Sequence, residues 1–309
     1  MLEHGGRLLR AVREYGIARQ DWLDLSSGIA PWSFPIPEVP AQAWARLPEV
    51  EDGLEQAARS YYGVAQLLAV AGSQAAIQAL PQLRPRGRVG VLWPCYAEHP
   101  QAWRQAGHRL LELDETQVED ALDSLDVLVL VNPNNPTGRC VSREQLLDWH
   151  ARLARRGGWL VVDEAFMDNT PALSVVDQAG RAGLIVLRSF GKFFGLAGVR
   201  LGFVMAEAPL LQALAHALGP WTVSGPARIV GQACLDDVEQ QRAQIERCAQ
   251  ASARLATLLE GCALPISGGC GILVRLFETP SALRFGLPAD AADEQRLRQA
   301  LQAYHKESA

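Results

Sequence analysis

The sequence predicts an α/β fold, a mostly parallel sheet sandwiched by helices, with a smaller α+β domain at the C-terminal end. Short apolar runs recur at Val89–Trp93, Val127–Val131, Trp159–Val162 and Ile185–Leu187. Segments of helical period separate the earlier runs, and an unbroken apolar row is what a strand buried on both faces requires. Directly after the runs stand Pro94-Cys95-Tyr96, Asn132 to Gly138, Asp163-Glu164-Ala165-Phe166 and Ser189 to Lys192. Parallel sheets gather their chemistry at the carboxyl ends of their strands, so this placement argues for the same fold.

Arg7 to Tyr15 has the spacing of an amphipathic helix, and Leu23 to Ala30 follows it. Pro31 to Pro40 is proline-rich and reads as an extended arm or linker. From about Leu67 the alternation sets in, with helices expected over Ser73–Leu83, Glu98–Ala106 and Ser142–Arg155. Ser142 followed by Gln145 is a helix start of the capping-box kind. Beyond Pro226 a long helical stretch runs to about Leu259 and leads into the smaller domain. The expected organisation is an N-terminal arm over 1–32, a large cofactor-binding domain over 33–224 and a shortened C-terminal domain over 225–309.

Composition narrows the function classes. A hydrophobic fraction of 49% with 20% charged residues is that of a soluble globular enzyme. A net charge of −5 argues against a nucleic-acid surface. The six cysteines form no C-x-x-C pair, which reads as reduced thiols in the cytoplasm. No apolar run reaches the roughly 18 residues of a membrane span.

The richest stretch runs from Ser189 to Gly202, in which Lys192 lies among glycines between Ser189 and Arg200. An amine for a Schiff base, a hydroxyl and a guanidinium for one phosphate, and room for a flat ring are the equipment for holding pyridoxal phosphate covalently. Asp163, at a strand end, suits a partner for the pyridine nitrogen, although a carboxylate there serves equally to cap the next turn. Asn135 offers an amide donor at the same sheet edge, within a motif that also reads as a plain tight turn. Ser73 is an N-cap candidate whose helix start suits a phosphate. Tyr96 is a candidate to pack over a flat ring, or simply a core aromatic. The tryptophans at 22, 32, 44, 103, 149 and 159 are expected in packing roles. Of the histidines only His4 draws functional interest; the others are expected to face solvent or be satisfied within helices, with no metal spacing.

Taken in this order, the motifs resemble those of a fold-type I pyridoxal-phosphate enzyme of the class I/II aminotransferase superfamily, from Leu23 to about Leu301. The resemblance implies a Schiff base on Lys192, Asp163 at the ring nitrogen and Asn135 at the phenolic oxygen. It implies phosphate contacts from Gly72, Ser73, Ser189 and Arg200, ring stacking by Tyr96, and a homodimer. Within the superfamily the chain is most similar to the threonine-phosphate decarboxylase group of cobalamin biosynthesis. It opens with His4-Gly5-Gly6, carries Pro220-Trp221-Thr222-Val223-Ser224, and has Phe166 where transaminases usually place tyrosine. That likeness implies decarboxylation of O-phospho-L-threonine to (R)-1-amino-2-propanol phosphate. His4, Gly5, Gly28, Asn135, Arg275 and Arg284 would contact the substrate, Arg284 through its α-carboxylate. The alternatives are a histidinol-phosphate-type aminotransferase and a cofactor-binding regulatory module without turnover. Three departures from the family pattern stand out. Phe166 lacks a hydroxyl, Leu47-Pro48 replaces the frequent Tyr-Pro, and a strand and helix are missing between Cys270 and Gly271.

Overall fold

The computed structural model describes residues 2–260, 271–278 and 281–308. The chain divides into two compact units, residues 34–239 and residues 1–33 with 240–309. It opens with α1 (Leu8–Tyr15), stopped by Gly16, and β1 (Leu23–Asp24). The unit from Phe34 begins with α2 (Ala41–Ala45) and α3 (Leu54–Tyr62). Its seven strands are β2 (Leu68–Val70), β3 (Arg88–Leu92), β4 (Arg109–Leu113), β5 (Val127–Val131), β6 (Trp159–Asp163), β7 (Leu184–Ser189) and β8 (Gly202–Met205). Their spatial order is β2-β8-β7-β6-β5-β3-β4, and all are parallel except β8, which opposes both neighbours. The helices of this unit continue with α4 (Ser73–Ala79), α5 (Glu98–Gln105), α6 (Glu115–Ala121), α7 (Arg143–Ala154), the single turn α8 (Phe190–Phe193), α9 (Ala208–Leu218) and α10 (Gly225–Asp236). The chain ends with α11 (Val238–Leu259), β9 (Ile272–Leu273), the hairpin β10 (Arg275–Glu278) and β11 (Ser281–Arg284), and α12 (Ala291–Ser308).

The expected strands and helices form, with informative differences. Every residue of β5 is buried, as an all-apolar central strand should be. The expected helix 73–83 turns 3-10 at Leu80–Leu83, where Pro81 has no N–H to continue it. Ser142 caps α7 by accepting from the Gln145 N–H at 3.2 Å. Only half the expected box forms, because the Gln145 side chain donates to Glu119 instead. A complete box closes α6, between Asp114 and Gln117. The long stretch beyond Pro226 is two helices broken at Asp237. The first of them, α10, belongs with the large unit: Arg228 donates to both Asp52 and Glu55, and Gly231 lets the helix close on Leu54 and Leu201. Trp44, expected to pack, is 72% exposed. Of the two expected settings for the histidines, His99 in α5 and His150 in α7 take the buried and satisfied one, as does His108 just beyond α5. Residues 261–270, where the family's missing strand and helix were expected, lie outside the described residues.

In the other unit β1 pairs in parallel with β9. Leu23 and Leu25 form its core with Leu255, Ile272, Leu297 and Leu301. Trp32 donates from its indole N–H to the Ala289 carbonyl at 2.8 Å.

The ends of β6 and β7 are locked by charge. Arg188 donates to Glu164 at 2.8 Å and to Asp168 at 2.6 Å, and all three side chains are at most 3% exposed. Ser174 and the Val175 N–H also bond Glu164, and Tyr61 donates to Asp168 at 3.0 Å. The Arg188 guanidinium lies over the Tyr62 ring, 4.8 Å from its centroid. Burial pushes the Glu164 carboxyl upward while Arg188 pulls it back. Replacing Arg188 with Met strands both carboxylates, so folding stability is expected to fall by about 3–5 kcal/mol in urea titrations at neutral pH. Without the guanidinium, burial raises the folded-state pKa of the Glu164 carboxyl still further above its unfolded value. The penalty is then complete above the folded pKa and vanishes below the unfolded one, so the deficit should be smaller at pH 5 than at pH 8.

Candidate active site

One cavity in the unit 34–239 opens at the carboxyl ends of β5, β6 and β7. Gly72, Ser73, Tyr96, Asn135, Asp163, Ser189, Lys192 and Arg200 all line it, together with Gln74 and Phe166. The strand register explains the gathering. Val131 pairs with Asp163 and Asp163 with Leu187, so three strands end nearly level. Side chains alternate along a strand. Asp163 and Ser189 therefore line the cavity, while their neighbours Glu164 and Arg188 make the buried ionic lock.

Asp163 is 2% exposed. Its Oδ1 accepts from the Ala165 N–H at 3.1 Å, so it does cap the turn. Its Oδ2 lies 2.8 Å from Nε2 of His99, which sequence reasoning left outside the site. The signal for His99 was its place three residues after Tyr96, but its partner is 64 positions away and only the fold joins them.

Lys192 lies on α8, and the aromatic packing beneath fixes that single turn. Phe190 stacks on Phe194 with centroids 4.3 Å apart, and Phe34 meets Phe194 edge-on at 4.8 Å. The Lys192 Nζ is 5.7 Å from the centroid of the Phe166 ring. Lys192 is one of only two lysines in the chain, the other being Lys306.

The anion end is built by close approach. Gly72, not Ser73, is the N-cap of α4, with φ 73° and ψ 154° and no side-chain cap. Such a conformation is essentially restricted to glycine. A Cβ at Gly72 would stand 2.7 Å from Nη2 of Arg200, and one at Gly202 would stand 2.5 Å from the Ser73 nitrogen. Arg200 itself adopts a left-handed backbone, φ 57°. A backbone cradle, the hydroxyls of Ser73 and Ser189, and one guanidinium suit a compact dianion. With the amine and the buried carboxylate, this set fits pyridoxal phosphate.

Asn135 is held by its loop. Buried Asn132 accepts from the Val141 N–H at 2.8 Å and donates to its carbonyl at 3.2 Å, which closes the turn. Asn134 donates to the carbonyl of Pro94 at 2.8 Å.

The remaining candidates, His4, Gly5, Gly28, Arg275 and Arg284, belong to the other unit. There the N-terminal segment, the loop after β1 and the β10–β11 hairpin meet. Gly6 N–H donates to Ser26 Oγ at 2.7 Å, and Arg284 donates to the Ser26 carbonyl at 2.6 Å. A Cβ on Gly5 would collide with that same carbonyl. Arg275 donates to the Glu3 carbonyl at 2.9 Å and pairs with its carboxylate at 3.3 Å. Arg275 and Arg284 are opposite partners in the hairpin register, and both lie over Phe277. Burial and the like charge of Arg275 lower the affinity of Arg284 for its proton. Opposed like charges across a hairpin are unfavourable unless an anion joins them.

A family model described as aminotransferase class I and II matches residues 41–305. The chain is 59% identical over 322 positions to a threonine-phosphate decarboxylase of Pseudomonas aeruginosa, covering 97% of each chain. It is 42% identical to a threonine-phosphate decarboxylase of a Sinorhizobium species, over 96% of this chain and 97% of that one. Its fold is similar to that of histidinol-phosphate aminotransferase from Sinorhizobium meliloti in complex with pyridoxal-5'-phosphate. The TM-score is 0.83 at 17% identity, over 100% of this chain and 99% of that one.

The close approach at Gly202 gives a direct check. Gly202→Ala forces β8 away from the Ser73 backbone, a strain of about 1–3 kcal/mol. Absorbance titration with pyridoxal phosphate is expected to show affinity lowered by about 5–150-fold.

Proposed function

The chain belongs to the aminotransferase class I and II family, and we propose that within it this protein decarboxylates O-phospho-L-threonine to (R)-1-amino-2-propanol phosphate, a step of cobalamin biosynthesis. The observation that carries the reading is the 59% identity to a threonine-phosphate decarboxylase over 97% of both chains. The contents of the cavity support it. The cofactor is pyridoxal phosphate, which when bound supplies an electron sink for the bond broken at the α-carbon.

The chain's own residues do the rest. Lys192 holds the cofactor through its amine and afterwards delivers a proton to the substrate α-carbon. Asp163, itself held by His99, keeps a proton on the ring nitrogen, because a nearby anion favours the charged form. Asn135 donates to the phenolic oxygen, and Phe166 adds no second donor there, a loss of about 0.5–1.5 kcal/mol. Gly72, Ser73, Ser189 and Arg200 take the cofactor phosphate, and Tyr96 covers the ring face. His4, Gly5, Gly28 and Arg275, with Asn135, are assigned to the phosphorylated amino acid, and Arg284 to its α-carboxylate.

The protein is further proposed to act as a homodimer in the cytoplasm. Trp44, Leu47, Val50 and Trp221 are large apolar side chains at least 59% exposed. Val50 and Trp221 also line a cavity of about 830 Å³. Exposed apolar area on this scale favours association. Cys95 and Cys248 are free, buried thiols that a reducing compartment preserves. No helix among the described residues is long and apolar enough to cross a membrane.

Two measurements test this reading. Incubation with O-phospho-L-threonine is expected to release CO2 without forming glutamate when 2-oxoglutarate is added, and Lys192→Ala should abolish release. Glutamate formed from histidinol phosphate and 2-oxoglutarate would favour an aminotransferase instead, and silence in both assays with cofactor bound would favour a regulatory module. Sedimentation should give a dimer, and the double substitution Val50→Ser with Trp221→Ser should shift it toward monomer by at least tenfold in dissociation constant.

A further inference from the structure

We propose that Gln74 and Glu98 are positioning residues for Tyr96, forming a hydrogen-bonded tether that fixes the aromatic wall of the cofactor cavity and ties it to the phosphate cradle. Tyr96 lies on the loop between β3 and α5, half-buried against the core of the sheet and edge-on to the His99 ring. Its hydroxyl donates to Oε1 of Gln74 at 3.2 Å. The Gln74 amide then donates to Oε2 of Glu98 at 2.9 Å. Gln78, one turn along α4, donates to the same carboxylate oxygen at 3.2 Å. Gln74 is the second residue of α4, directly after Ser73, and Glu98 is the first of α5. The tether therefore joins the helix start that lines the anion end to the helix start that follows the ring wall.

The chain of bonds has one polarity. A phenol donates, an amide accepts at one end and donates at the other, and a carboxylate accepts only. A charge at the terminus strengthens each bond before it. Burial, and the charges of Glu98 and Asp163, push the Tyr96 hydroxyl up to about 12, so it remains a donor across the physiological range. The same turn of α5 presents His99 to Asp163. Neighbouring residues of one helix thus steady two walls of the cavity, Glu98 acting through Gln74 and His99 acting on the carboxylate.

The proposal rests on the assignment of this cavity to pyridoxal phosphate and is indifferent to which reaction follows. The test is a double-mutant cycle on the full chain with Tyr96→Phe, Gln74→Leu and their combination. It reads pyridoxal phosphate affinity and the circular dichroism of the bound cofactor, with the urea midpoint of the cofactor-free protein as a folding control. Each single substitution is expected to weaken affinity about 3–10-fold and reduce the dichroism, as loss of one hydrogen bond does. The double variant should be no weaker than either single one, because the tether is already broken. Glu98→Gln keeps an acceptor for Gln74 and should stay within about twofold of the parent, whereas Glu98→Leu should join the impaired variants. Gln74→Met takes the place of Gln74→Leu if the latter does not fold. Effects that multiply in the double variant, or an unchanged dichroism in the Gln74 variant, overturn the tether alone. A parent that takes up no pyridoxal phosphate overturns the cofactor assignment and the tether with it.

Discussion

The site depends on one buried guanidinium. Arg188 cannot leave its two carboxylates, because neither charge can be stranded in an interior without a cost of several kcal/mol. Its partners Glu164 and Asp168 follow β6, whereas Arg188 ends β7 with Ser189. The ion cluster therefore sets the spacing of two strand ends whose alternate side chains are Asp163 and Ser189. Tyr61 and Tyr62 of α3 extend the restraint behind the sheet. Rigidity on one face of the strand ends becomes precision on the other.

On that frame the cavity separates its electrostatic tasks. An anion held by a histidine occupies one edge, a guanidinium and two hydroxyls the other, and the amine lies on a turn braced by phenylalanines. Because the groups come from β6, β7, the loop after β5 and the start of α4, no single element carries the chemistry. Glycines at 72 and 202 matter for the opposite reason to the charged groups: they are where atoms must be absent for Arg200 and β8 to close on the cradle.

Much of this was legible in the sequence, and the reasons differ by element. β5 declared itself because five consecutive apolar residues have no alternative to burial on both faces. The order of Tyr96, Asn135, Asp163 and Lys192 followed from motifs at strand ends, which a parallel sheet brings together automatically. His99 was not legible, since a histidine in an amphipathic helix looks the same whether it meets a carbonyl or a buried carboxylate. Trp44, expected in a packing role, is exposed, because residue type cannot distinguish packing within a chain from apolar surface left outside it. The break at Asp237 was invisible because the apolar period continues through it while the backbone does not. The capping box at Asp114 was overlooked in favour of Ser142, where a competing glutamate captured the glutamine that would have completed the motif.

The β10–β11 hairpin carries a consequence of its own. Setting Arg275 opposite Arg284 brings two like charges together in a two-stranded element, and the Glu3 carboxylate, the Ser26 carbonyl and the Phe277 ring offset their repulsion. The carboxylate that serves Arg275 comes from the N-terminal segment, so an anionic guest here would compete with the chain's own Glu3. The first residues of the chain are thus built into the same corner as this hairpin, and the charge of Glu3 sets how much of the positive field of the two arginines is left over.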